Sequence, residues 1–220
     1  VAPLTITAPY VLLEPEQPTS TVAFPEGFAS NNQGYLLVVL DGVGENIMLD
    51  DSLMPNLVSR MDNSAVVSIT TGPLTLSATC VREMMTGVPN APIDGLKNFN
   101  MGHPGGTDPW LLAATSDSYS VGMIGSYVMG NLYGDRRDIE FVNTFEGHAD
   151  YYEGDDATGD VLEQWLGSER HNVVAAHFSG PDKVGHKWGT VSEEYRNKML
   201  DLDQKLSGWL RLVPPQWTVV

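Results

Sequence analysis

The chain holds a single cysteine, Cys80, in 220 residues. An internal disulfide is therefore excluded, as is any zinc or iron–sulfur site built from several thiolates. Basic residues are scarce as well: 12 Lys and Arg stand against 28 Asp and Glu, a formal charge of −16. Such a field repels the phosphate backbone, so a general nucleic-acid binder is excluded, and attraction to anionic membrane surfaces is disfavoured. No apolar run approaches the roughly 18 residues of a membrane-spanning helix, and no signal peptide is visible. The first residue is Val1 rather than Met. This sets the expectation of a processed, exported or formerly anchored protein, extracellular or membrane-associated on the outer or lumenal side. A strongly acidic protein that handles an anionic substrate needs local positive charge, and bound metal cations supply it most directly.

Apolar residues are not lacking: at 42% they suffice for a substantial core. The most informative stretch is Gly34-Tyr-Leu-Leu-Val-Val-Leu-Asp41-Gly42. A continuous apolar run of strand length is the signature of a strand buried on both faces. In an open parallel α/β sheet, ligands bind just outside the carboxyl ends of the strands, which is where Asp41 stands. Upstream, residues 1–33 carry Pro3, Pro9, Pro15, Pro18 and Pro25 and read as an extended arm, leaving 34–220 as the domain. A short helix is expected around 54–61, and Ser64–Thr71 reads as a second strand, β-branched and ended by Gly72-Pro73. The stripe Ala78, Val81, Met84, Met85 predicts a helix, with Ser77 as its N-cap and Gly87 as its stop.

Residues 87–109 are rich in Gly and Pro and read as a long connection. A helix is expected from Asp108 to about Ser116, and strands over Ser120–Tyr127 and Ile139–Thr144. The segment 145–156 reads as a polar loop, 157–167 as a helix and His171–Phe178 as a buried strand. Met199, Leu202, Leu206 and Leu210 mark an amphipathic helix over Ser192–Leu212, and Trp217–Val220 begins one more strand. Strand–helix alternation of this kind predicts an α/β fold, a mostly parallel sheet with helices on both faces.

Three places after strands carry chemistry. Asp41 is the first. Ser77 is the second: a helix N-terminus presents free N–H groups to an oxyanion, and a serine there attacks if its pKa is lowered. The third is Ser179-Gly-Pro-Asp182-Lys-Val-Gly-His186, read as a Gly-punctuated turn whose carboxylate and imidazole suit zinc or manganese. No histidine stands in an obvious triad relationship to Ser77, so metal activation is the more economical proposal. Arg82 reads as an inter-element ion pair, Cys80 as packing and Asp203 as structural.

The order Asp41-Gly42, Ser77 ten residues before Gly87, then Asp182-x-x-Gly185-His186 resembles the alkaline phosphatase superfamily. The branches most alike are the nucleotide pyrophosphatase/phosphodiesterases and the glycosylphosphatidylinositol ethanolamine-phosphate transferases. The segment Ala176-His177-Phe178-Ser179-Gly180-Pro181-Asp182-Lys183-Val184-Gly185-His186 looks especially like the transferases. The resemblance implies that Asp41 and Ser77 bind one metal ion and Asp182 and His186 a second, both commonly zinc. It further implies that Ser77 is the nucleophile, phosphorylated during turnover, and that Asn98 hydrogen-bonds the phosphate of a small phosphoester. The superfamily completes its site with an Asp-His-Gly segment after the next strand and a further histidine beyond it. Trp217–Val220 aligns with that strand, so the expectation is the N-terminal part of a longer catalytic domain, or a site completed by a second chain. The rival reading is a non-catalytic protein that reuses the fold for binding or assembly.

Overall fold

A computed structural model of the chain describes residues 33–97, 119–145 and 151–220. The expected arm over 1–33, the helix from Asp108 to Ser116, and the residues Asn98, His103 and His148 lie outside the described residues, apart from Gln33. Five parallel strands form one sheet: β1 (Gly34–Leu40), β2 (Val121–Gly125), β3 (Ile139–Asn143), β4 (Val173–Phe178) and β5 (Trp217–Val219), ordered β3-β2-β4-β1-β5. The connecting helices are α1 (Glu45–Met48), α2 (Pro55–Val58), α3 (Ser77–Thr86), α4 (Tyr127–Tyr133), α5 (Glu153–Ser168), α6 (Gly180–Trp188) and α7 (Glu193–Trp209).

Alternation along the central strands feeds two cores, one on each face. Leu36, Val174, Ala176 and Phe178 pack against Leu162 and Trp165 of α5 and Met199, Leu202 and Leu206 of α7. Val39, Val173, Ala175 and Met123 pack against Ala78, Val81 and Met85 of α3 and Met129 and Leu132 of α4. Continuous apolar sequence in β1, β2 and β4 thus has the cause predicted for it: both faces of each strand are covered.

Several elements differ from the sequence reading. Ser64–Thr71 joins no strand among the described residues: Val66, Val67 and Ile69 are 55%, 75% and 78% exposed. β-Propensity reports how well a side chain fits a half-buried pleated surface, and without such a surface it does not produce a strand. The expected strand Ser120–Tyr127 ends at Gly125, because Ser126 turns the chain by capping α4: its Oγ accepts from Val128 N–H. Helix α5 starts at Glu153, inside the segment expected to be loop, with Glu153, Asp155 and Asp156 in its first turn. Carboxylates there complement the positive end of the helix dipole and offset Gly154 among them.

Asp203 is structural, as expected, through an unusual capping role. From α7 its carboxylate accepts the Asn56 N–H (2.9 Å), the Leu57 N–H (2.9 Å) and the Asn56 side-chain amide (2.8 Å). It thereby caps α2, whose own N-cap residue, Met54, has no side-chain acceptor. Asp203→Ala is expected to lower stability by about 2 kcal/mol, because the first-turn amides of α2 lose a charged acceptor. The urea midpoint reads this directly, and an unchanged midpoint would remove the capping role.

Candidate active site

The sheet register brings the reactive side chains to one edge. Asp41 follows β1, and its amide donates to the Phe178 carbonyl at the end of β4 (3.0 Å). Gly42 turns the chain with φ of +74°, and a Cβ there would lie 2.6 Å from the Cα of Asp182. Only glycine permits that approach of two backbones. The turn is held from the other sheet face by Tyr195 of α7, whose hydroxyl donates to the Gly42 carbonyl (2.9 Å). Burial, then the nearby charge of Asp182, push the Tyr195 phenol up to about 12, so it remains a donor throughout the neutral range.

Ser77 is the first residue of α3, not its N-cap; that position belongs to Leu76, which has no side chain to cap with. Ser77 is half-buried, and its hydroxyl lies close enough to the Asp41 carboxylate to help hold it below its ordinary value. The loop that delivers it is tied to α3: the Glu83 carboxylate accepts from Gly72 N–H (3.0 Å), and Asn90 exchanges two hydrogen bonds with the Leu74 backbone (3.0 and 2.9 Å). Arg82 pairs with Asp94 (3.2 Å) and Cys80 is half-buried beneath the loop, donating to the Leu74 carbonyl (3.4 Å). Both have the structural roles expected of them.

Asp182 and His186 lie on a helix rather than in a turn. Pro181 is accommodated in the first turn of α6, where no intrahelical N–H is needed. One helical turn separates the two side chains, with Nε2 of His186 3.3 Å from Oδ1 of Asp182. His186 is 82% exposed, whereas Asp182 is mostly buried. The N-terminus of α6 is held by Asp155 of α5, whose Oδ1 accepts the Gly180 N–H (3.1 Å).

The two carboxylates respond to each other. Burial pushes Asp41 up, but the neighbouring His177 imidazole, the Ser77 hydroxyl and the Gly42 amide outweigh it and hold the carboxyl below its ordinary value. Asp182 goes the other way: burial raises it, and the charge of Asp41 raises it further. Tyr127, the first residue of α4, feels both; burial and then these two charges raise its phenol.

One residue of this edge is not among those singled out from sequence. His177 is wholly buried in β4, with Nε2 3.4 Å from Oδ2 of Asp41. In the parallel register Val39 lies beside His177, and Asp41, two residues on, faces the same side of the sheet. Among the described residues, no three His, Cys, Asp or Glu side chains converge as a metal cluster.

Solved structures share the fold that carries these residues. The chain matches murine ectonucleotide pyrophosphatase/phosphodiesterase 5 with a TM-score of 0.57 at 14% identity, over 82% of this chain and 52% of that one. That structure is an inactive threonine-to-alanine form in complex with AMP. A second structure of the same protein gives 0.56 at 15% identity, over 81% and 52%. At this identity the likeness is one of fold: the parallel α/β sheet is the alkaline phosphatase-like one expected from the sequence. A phosphonoacetate hydrolase from Sinorhizobium meliloti also matches, with a TM-score of 0.48 at 14% identity, over 82% of this chain and 54% of its own. The chain thus spans about half the length of the superfamily structures it matches. No protein-family model matches the sequence, and no curated protein matches it.

Proposed function

We propose that the chain carries the nucleophile side of a metal-dependent site that cleaves small anionic phosphoesters, by hydrolysis or by transfer to an acceptor alcohol. The observation that carries this reading is the meeting of Ser77 at a helix N-terminus with Asp41, directly across the Gly42 turn from Asp182. The superfamily fold and the AMP complex of the murine phosphodiesterase support it.

The residues fit divalent cations. Two carboxylates are near enough for the charge of Asp41 to raise Asp182, a repulsion that a cation relieves. The donors are carboxylate and hydroxyl oxygens with an imidazole nitrogen, the set that zinc and manganese accept. Asp41 and Ser77 would hold one ion, Asp182 and His186 the other, with further ligands completing each shell. Bound there, the ions supply positive charge to the phosphoryl oxygens and lower the hydroxyl pKa of the nucleophile.

The chain's own groups do the rest. The Asp41 carboxylate, kept ionised, accepts the Ser77 proton and so aims a lone pair of Oγ outward. The free N–H groups of the first turn of α3 stabilise the phosphoryl oxygens. Oγ forms a bond to phosphorus as the bond to the leaving oxygen breaks, the serine proton passes to the departing alkoxide, and the phosphorylated serine keeps any second ester group. Water, or an acceptor alcohol, then takes the phosphoryl group and returns the proton to Oγ. Asn98 is the proposed further donor to the phosphate.

The reading predicts turnover of bis(4-nitrophenyl) phosphate by the full protein, lost on dialysis against a chelator and restored by Zn²⁺ or Mn²⁺. Turnover that survives exhaustive chelation would overturn the metal dependence. Absence of both turnover and metal binding would favour the non-catalytic alternative.

A further inference from the structure

We infer that His177 is a positioning residue that fixes the Asp41 carboxylate, through a buried line running Ser126–His177–Asp41–Ser77. The inference rests on the reading of Asp41 and Ser77 given above.

The hydrogen-bond inventory at the imidazole assigns its protons. Ser126 Oγ already accepts the Val128 N–H (3.2 Å) as the cap of α4, so its hydroxyl proton is free to be donated. It lies 3.2 Å from Nδ1 of His177, and Ser179 Oγ lies 3.4 Å from the same nitrogen. Two hydroxyls facing Nδ1 suit an acceptor there, which places the ring proton on Nε2. The opposite tautomer would turn a lone pair of Nε2 toward the Asp41 carboxylate, a repulsive contact at a nitrogen that water does not reach.

Nε2 is fully buried and makes no well-formed hydrogen bond among the described residues, and Oδ2 of Asp41 lies 3.4 Å from it. A buried donor left unmade is costly, so the contact constrains both groups. At 3.4 Å it is looser than a charge-assisted hydrogen bond usually is. That leaves the carboxylate free to settle toward a cation while still being held in orientation. Ligating carboxylates depend on outer partners of this kind.

Gly125, at the end of β2, has φ of +146°, and a Cβ there would come within 2.8 Å of both the Cβ and the carbonyl of His177. Glycine thus lets β2 and β4 approach closely where His177 sits.

The test combines a direct readout with variants. In ¹⁵N-labelled protein, the ring shifts and long-range couplings of His177 are expected to report the Nε2–H tautomer; the Nδ1–H tautomer would overturn the inference even if no variant folds. Mn²⁺ titration is then compared across His177→Phe, His177→Gln, Ser126→Ala and Asp41→Asn. His177→Phe is expected to weaken Mn²⁺ about 10- to 100-fold, and His177→Gln, whose amide nitrogen replaces Nε2–H, to recover most of the loss. A purely steric role predicts that phenylalanine is tolerated and glutamine gives no rescue, which would sink the idea. Asp41→Asn separates the two readings. If it leaves Mn²⁺ binding intact, the assignment of Asp41 as a ligand fails. If it abolishes binding while His177→Phe does not alter it, only the positioning role fails.

Discussion

Ser77→Ala is expected to lower kcat for an aryl phosphodiester by about ten-thousand-fold or more, with the fold kept, Mn²⁺ weakened at the Asp41 position and Mn²⁺ retained at Asp182 and His186. Loss of a nucleophile removes the covalent route and leaves only the binding and electrostatic part of catalysis. Asp41 meets the Ser77 hydroxyl with a carboxylate held ionised against the effect of burial, so the serine proton has an acceptor before substrate arrives. Ser77→Thr retains the hydroxyl at the head of α3 and should retain measurable turnover. A quenched reaction of the unaltered protein should yield Ser77 carrying the phosphoryl group with its remaining aryl ester, located by mass spectrometry of the peptide. Unchanged turnover in Ser77→Ala would remove Ser77 from the chemistry. Loss of Mn²⁺ affinity and of folding stability together would instead make its role structural.

The site was legible where chemistry and local pattern coincide. Asp41 ends a run of seven strand residues whose apolar sequence needs no partner to be recognised. Asp182 and His186 stand out because a carboxylate and an imidazole follow another such run. The element that carries them was less legible: Gly180, Pro181 and Gly185 look like breakers, yet proline suits a first helical turn, and the segment is α6. Ser64–Thr71 misled in the opposite direction, since β-branching alone supplies no surface to pack on. His177 could not be found from local pattern at all. It sits in an apolar strand, and only the pairing of Val39 with His177 sets it beside Asp41. Register between strands 138 residues apart is a property of the folded sheet; in the sequence, a histidine between alanine and phenylalanine is an oddity without an address. Ser126 is hidden likewise, because its dual role needs both the cap of α4 and the neighbouring strand.

The largest expected loss of stability comes from Lys198→Met. Lys198 of α7 and Asp155 of α5 are both completely buried, with Nζ 2.6 Å from Oδ2. Neither atom has a well-directed hydrogen bond, so the pair is held by charge, with Nζ also 4.4 Å from the centre of the Tyr152 ring. The other oxygen of Asp155 caps α6, so the pair joins three helices at the base of the element that carries Asp182 and His186. Methionine fills similar space without charge and strands the carboxylate. Breaking a buried pair from one side costs about 3–5 kcal/mol, or roughly 10 °C in Tm for a chain of this size. Burial already pushes the Asp155 carboxyl up, with Lys198 opposing it. Without the ammonium the folded-state pKa rises further above the unfolded value, so the folded variant takes up a proton that the unfolded chain releases. Stability of Lys198→Met should therefore fall as pH rises through that folded pKa, and recover as pH is lowered toward the unfolded value near 3.8. The double variant Lys198→Met/Asp155→Leu removes the stranded charge along with the α6 cap, and should regain part of the loss. Equal stability of the two variants at pH 8 would show that the cap, rather than the charge pair, is what Asp155 contributes.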